Sequence, residues 1–233
     1  MDRRGALGEK RGMELLADSL ACRRAGRRVF AHVSFRVKAG EAAILTGPNG
    51  SGKSSLLRVL AGFLPADAGD ATLCGVSLRV DREAAQERVA YAGHLDAVKP
   101  QLTVWENLAV WARLFGAAGG AAERALAAFG LERLADTPAA YCSAGQKRRL
   151  GLARLLTAER PVWLLDEPTV SLDAAATENF ARIVREHCAA GGLAVAATHA
   201  PLGFEGGPEI RLAPAPAAAA AADVGDPFLE GAW

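Results

Sequence analysis

The sequence predicts an α/β fold, a mostly parallel sheet with helices on its faces and a helical subdomain inserted between two of its strands. Three observations carry this reading. Ala42 to Thr46, Val162 to Leu165 and Leu193 to Thr198 are short apolar runs, the pattern of parallel strands buried on both faces. Stretches with helical spacing of apolar residues alternate with them. Between the first two runs, a region from about Leu95 to Arg160 reads mainly helical. Strands alternating with helices give a parallel sheet covered by helices.

In chain order, Val33-Ser34-Phe35-Arg36-Val37 alternates as a half-buried strand does, and Lys38-Ala39-Gly40-Glu41 reads as a turn. The run from Ala42 to Thr46 leads into a glycine-rich loop. Leu56, Leu57 and Leu60 then mark a helix, which Gly62 stops. Thr103 with Glu106 forms a capping box, opening a helix that carries Leu108, Trp111 and Leu114. Gly116 to Gly120 breaks it, and Glu123 to Phe129 is a second helix ended by Gly130. Ser143 with Gln146 is another capping box, opening a helix through Leu150, Ala153 and Leu156 that Pro161 terminates. After the strand at Val162 to Leu165, a stripe of Phe180, Ile183, Val184 and His187 marks a helix closed by Gly191-Gly192. The expected organisation is an N-terminal extension over 1–12, with Met13 as an alternative start, a domain over 13–212, and a low-complexity, disordered tail over 213–233.

Composition narrows the function classes. The formal net charge of the 233-residue chain is +1, without the basic excess of a nucleic-acid binder. No window approaches the ~18 apolar residues of a membrane span, and no apolar run follows the basic N-terminus as in a secretory signal. Cys22, Cys74, Cys142 and Cys188 are far apart and form no CxxC pair, so they read as reduced thiols.

Gly47-Pro48-Asn49-Gly50-Ser51-Gly52-Lys53-Ser54, followed by Ser55, fits GxxxxGK[ST] with a strand before it and a helix after. Glycines let backbone N–H groups turn inward on phosphate oxygens, and the next helix points its positive end at the same anion. Lys53 can reach the β- and γ-phosphates of a nucleotide, and the Ser54 hydroxyl can ligate Mg²⁺. Asp166-Glu167 follows a strand, at the sheet edge where ligands of open parallel sheets bind. Alone the pair would read as a strand-end turn. Beside a phosphate loop, Asp166 becomes a candidate for holding Mg²⁺, and Glu167 one for activating water.

The chain resembles the nucleotide-binding domain of ABC ATPases over roughly Glu14 to Arg211. Cys142-Ser143-Ala144-Gly145-Gln146 is similar to the family's LSGGQ signature. Val162 to Thr169 follows at the family's spacing, Ser171-Leu172-Asp173 is similar to its D-loop, and His199 stands where the family keeps a switch histidine. The resemblance implies a P-loop NTPase fold with an N-terminal antiparallel β part, ATP and Mg²⁺ as ligands, and ATP hydrolysis. It also implies a homodimer in which Ser143, Gly145, Gln146 and Asp173 of one chain face the nucleotide of the other. The helix that Ser143 opens supplies a physical reason, since its first N–H groups have no partner within the helix.

Two positions depart from the family pattern. His94, in Tyr91-Ala92-Gly93-His94, replaces the usual Q-loop glutamine and is taken with Glu167 and His199 as a catalytic candidate. Ala144 replaces a glycine, which matters only if that residue is left-handed. No aromatic residue stands at the adenine-stacking position. Either Arg24 or Arg23 falls there, to stack on the base or to lie as a solvated basic turn. His32 and His187 read as ordinary structural histidines.

With Gly93-His94 in place of the glutamine, a short chain, the stretch Tyr141-Cys142-Ser143-Ala144-Gly145-Gln146-Lys147-Arg148-Arg149 and the Cys22-Arg23-Arg24 start, the chain resembles the haem exporter ATPases of cytochrome c maturation. That resemblance implies integral-membrane transporter subunits and other cytochrome c maturation proteins as partners, at the cytoplasmic face of a bacterial inner membrane. The alternatives are an ATPase of a multidrug or nutrient transporter, or a soluble ABC ATPase acting on nucleic acid. The single cassette, the absence of long heptads and the near-neutral charge disfavour the last.

Overall fold

A computed structural model describes residues 12–198 and 207–213. It contains two sheets. The N-terminal one is antiparallel, built from β1 (Glu14–Arg24), β2 (Arg27–Lys38), β4 (Ala68–Leu73) and β5 (Val76–Ser77) in the order β2-β1-β4-β5. The second is parallel throughout. It runs β6 (Val89–Ala92), β7 (Val162–Asp166), β8 (Leu193–Ala197), β3 (Ala42–Thr46), β9 (Glu209–Arg211).

Helix α1 (Lys53–Leu60) follows β3, and the short α2 (Arg82–Gln86) precedes β6. Three helices lie between β6 and β7: α3 (Val104–Leu114), α4 (Ala121–Ala128) and α5 (Ala144–Ala158). Helix α6 (Ala174–Ala189) joins β7 to β8.

Alternation along β7 divides the interior. Val162 and Leu164 face α1 and the antiparallel sheet, packing with Leu15, Leu45, Leu56 and Leu60. Trp163 and Leu165 face the other way, with Phe180 and Val184 of α6 and Leu108, Leu126 and Leu152 of the inserted helices. Burying each such side chain contributes roughly 1.5–3 kcal/mol.

Both capping boxes form with reciprocal hydrogen bonds, at Thr103/Glu106 and Ser143/Gln146. Ala144 is the first residue of α5 and has no positive φ, so the missing glycine costs nothing there. Residues 95–102 are irregular rather than helical. Leu114 is exposed, because α3 packs through Val104 and Leu108 and its end runs out to solvent. All four cysteines are free thiols, three of them buried. His199, residues 1–11 and the tail from 214 onward lie outside the described residues.

Candidate nucleotide-binding site

The strand register gathers the site. Leu45 of β3 pairs with Ala197 of β8, and Ala197 pairs with Asp166 of β7, so the carboxyl ends of three strands finish in one row. The glycine-rich loop leaves β3 at that edge. Gly47 has φ 149°, and a Cβ there would lie 2.6 Å from the Leu212 carbonyl oxygen. Gly52 has φ 97°, and a Cβ there would lie 2.5 Å from Val29 Cγ1. The loop is therefore pressed between the end of β9 and the start of β2, where only glycine fits.

Within the loop, the Lys53 ammonium donates to the carbonyls of Gly47 at 2.8 Å and Pro48 at 3.2 Å. The Ser51 hydroxyl is buried, with the residue 1% exposed, and has no hydrogen-bond partner among the described residues. A buried unpaired polar group costs about 1–3 kcal/mol, so this hydroxyl suits a ligand oxygen. Gly52 caps α1 without a side chain, and no acidic residue stands in the helix's first turn. The N–H groups there can meet an anion. Gly50 and Ser55 complete the loop and the first helical turn, with Pro48 and Asn49 exposed at its tip.

Asp166 is buried and reaches the loop directly. Its carboxylate accepts from Ser54 Oγ at 2.9 Å and from the Tyr91 hydroxyl at 3.3 Å. Burial pushes the Tyr91 hydroxyl above its usual range, and the adjacent Asp166 charge pushes the same way, so Tyr91 stays a donor. Glu167, next in sequence, is half-buried and adopts the left-handed conformation with φ 47°, its N–H donating to the Ala197 carbonyl at 2.8 Å. A non-glycine residue there is strained by about 1–3 kcal/mol and needs surroundings that hold it.

The signature residues form a second cluster. Ser143 Oγ accepts from the Gln146 N–H at 3.3 Å, and Gln146 Oε1 accepts from the Ser143 N–H at 2.7 Å. A Cβ on Gly145 would lie 3.0 Å from the Ser171 carbonyl, so the signature abuts the D-loop of its own chain. Asp173 caps α6, accepting from the Ala176 N–H at 2.7 Å. No hydrogen bond joins the Ser143–Gln146 cap to the 47–54 loop among the described residues. His94 is exposed beyond the end of β6, without a hydrogen bond or ion pair among the described residues. Arg24 and Arg23 lie at the β1–β2 turn, opposite Arg27 and Arg28, and Arg23 pairs with Asp67 at 3.2 Å.

Sequence reading missed two contributors. Tyr91 was read only as part of a loop motif, and its alternation within β6 could have flagged it. Arg148 sits in the basic run Lys147-Arg148-Arg149, where nothing in the sequence singles it out, yet it is 4% exposed.

Ser54 and Asp166 could share a hard cation. No group of three or more His, Cys, Asp or Glu able to hold a metal occurs among the described residues. The donor set suits Mg²⁺, which takes one or two protein oxygens and draws the rest from phosphates and water.

The ABC transporter family model matches residues 30–170. The cytochrome c biogenesis ATP-binding export protein CcmA of Paramagnetospirillum magneticum is 52% identical over 200 residues, covering 84% of this chain and 92% of the relative. Its counterpart in Cereibacter sphaeroides is 49% identical, covering 93% of this chain and 98% of the relative. Among solved structures, an ATP-binding subunit of an ABC transporter superposes with TM-score 0.73 at 27% identity, over 79% of each chain. A dimeric ATP-binding cassette bound to ADP and Pi superposes with TM-score 0.75 at 23% identity, over 85% of this chain and 94% of that one. The chain belongs to the ABC transporter ATP-binding family and, within it, to the cytochrome c biogenesis ATP-binding export proteins.

Proposed function

We propose that the chain is the ATP-hydrolysing, energy-coupling subunit of an ABC transporter for c-type cytochrome biogenesis, driving haem export or release of a haem-loaded periplasmic chaperone. The single observation that carries the catalytic reading is the hydrogen bond from Ser54 to Asp166. It joins the phosphate loop to the strand bearing the two carboxylates. The printed names of the 52% and 49% identical relatives support the biogenesis role.

In this reading the N–H groups of residues 50 and 52–55 and the Ser51 hydroxyl bind phosphate oxygens, and Lys53 balances charge on the β- and γ-phosphates. Mg²⁺, held through Ser54 and Asp166, would draw charge from the phosphate oxygens. Glu167 orients water and takes its proton as attack on the γ-phosphorus begins. His199 contacts the γ-phosphate, and His94 meets the attacking water from the β6 side. Arg24 or Arg23 stacks on the base.

Ser143, Gly145, Gln146 and Asp173 act on the nucleotide of a second copy, so one chain alone has an incomplete site. Charge stabilisation is supplied across the interface, as an arginine finger supplies it. Two copies therefore work as a homodimer against integral-membrane subunits, peripherally, at the cytoplasmic face of a bacterial inner membrane. No described helix is long and apolar enough to cross a membrane, which fits membrane subunits supplied by other chains. Residues 13–212 form the ATPase domain, with its helical subdomain over about 95–160, an extension over 1–12 and a tail over 213–233.

Disrupting the gene tests the biogenesis role. Holo-c-type cytochromes should be lost while b-type cytochromes persist. Normal c-type haem staining in the disrupted strain would contradict it.

A further inference from the structure

Arg148 lies one turn inside α5, on the same helix that Ser143 caps. Its guanidinium is buried, yet the distances describe a filled coordination shell. Nε donates to the Pro168 carbonyl at 3.0 Å. One Nη donates to the Gly93 carbonyl and to Asp96 Oδ1, both at 2.9 Å. The other donates to the Glu167 carbonyl at 2.6 Å and more weakly to that of Asp166 at 3.4 Å. All five N–H donors of the planar fork are engaged. Three consecutive carbonyls, those of residues 166 to 168, converge on it.

This arrangement answers how Glu167 keeps its left-handed backbone. The carbonyls of Asp166 and Glu167, which flank the strained φ, and that of Pro168 beyond it are fixed by one rigid cation. The same cation fixes the segment after β6 through Gly93 and Asp96. Asp96 is itself seated on α5, where a Cβ on Gly151 would come within 2.7 Å of its carbonyl oxygen. Arg154, farther along the same helix, donates to the Tyr91 carbonyl at 2.7 Å. The signature helix, the end of β6 and the carboxylate turn after β7 are thus bolted together.

We propose that Arg148 is a positioning residue, which holds the Glu167 turn and the Gly93–Asp96 segment in register with the helix that presents Ser143. Displacement of that helix then carries the water-activating carboxylate with it. The proposal rests on the reading of Glu167 as the water-activating group. A lysine cannot replace the fork, because a single ammonium cannot reach the acceptors on both sides.

The test uses the full-length chain. Arg148→Lys should lower kcat at least tenfold while the Kd for a fluorescent ATP analogue stays within threefold, since the phosphate loop is untouched. Added to Glu167→Gln, it should lower the residual turnover by less than twofold, because both changes act through one group. A merely structural role would lower the melting temperature and add its full loss in that background. Asp96→Asn removes the charge of one anchor and leaves Arg148 in place. It should lower kcat about threefold with nucleotide affinity unchanged, and it decides the matter if Arg148→Lys does not fold. Wild-type kcat, within twofold, in a folded Arg148→Lys or, failing that, in Asp96→Asn would overturn the proposal. So would full additivity with Glu167→Gln. Wild-type turnover in Glu167→Gln alone would instead overturn the reading of Glu167.

Discussion

Ser54 Oγ donates to Asp166 Oδ1 at 2.9 Å, joining residues 112 positions apart in the chain. The bond exists because β8 lies between β3 and β7 and all three strands end in the same row, which sets the start of α1 against the end of β7. A hydrogen bond to a charged group is worth about 1.5–3 kcal/mol, or roughly ten- to a hundredfold. Ser54→Ala should lower kcat/KM for Mg-ATP by about that factor in steady-state assays, and should lower the melting temperature by several degrees, as loss of a bond of that size requires.

Glu167→Gln should retain ATP binding and lose hydrolysis by about 10²- to 10⁴-fold, the contribution of a general base. Phosphate release measured under saturating Mg-ATP checks this. Lys53→Ala, by contrast, should lose nucleotide affinity, read by equilibrium binding of a fluorescent analogue.

Ser143→Ala should separate two roles. Loss of the cap costs about 1 kcal/mol and lowers the melting temperature by about 2–4 °C. The capping box is exposed and local to α5, so any loss of hydrolysis beyond tenfold cannot come from stability. The expected loss exceeds tenfold, because in the proposed dimer the hydroxyl also faces the second copy's nucleotide.

His187 predicts a pH dependence of stability. Its ring stacks on Trp163 with centroids 3.9 Å apart, and Nε2 lies 3.1 Å from the Pro161 carbonyl oxygen, to which it donates as the neutral ring. Burial pushes its pKa below the ordinary histidine value, against smaller opposing effects of its backbone hydrogen bonds. The folded state therefore binds fewer protons than the unfolded state below about pH 6.5. Stability is full above that value and is lost as pH falls through the folded pKa. Thermal melts from pH 7.5 to 5 should show this loss, and His187→Phe should flatten it.

Periodicity revealed some elements and not others, for physical reasons. The strand at Val162 to Leu165 and the glycine loop before α1 were legible because burial on both faces and phosphate geometry each demand particular residues. Both capping boxes were legible because helix ends need polar partners. The antiparallel pair β1–β2 was read only at Val33 to Val37. Register shifts after Ala17, Leu20 and Cys22, with positive φ at Ser19 and His32, break the alternation elsewhere. The short β9 carries too few residues to show a period. Arg148 was illegible because a buried arginine and a solvated one look alike between Lys147 and Arg149. Only the carbonyls folded around it tell them apart.

In the proposed dimer, two copies complete each other's nucleotide sites. Sedimentation velocity of the Glu167→Gln chain, with and without saturating Mg-ATP, tests it most directly. A shift from about 24 kDa to about twice that mass on adding nucleotide, abolished by Ser143→Arg, is the expected result. A sedimenting monomer under both conditions, even with the membrane subunits present, would contradict it.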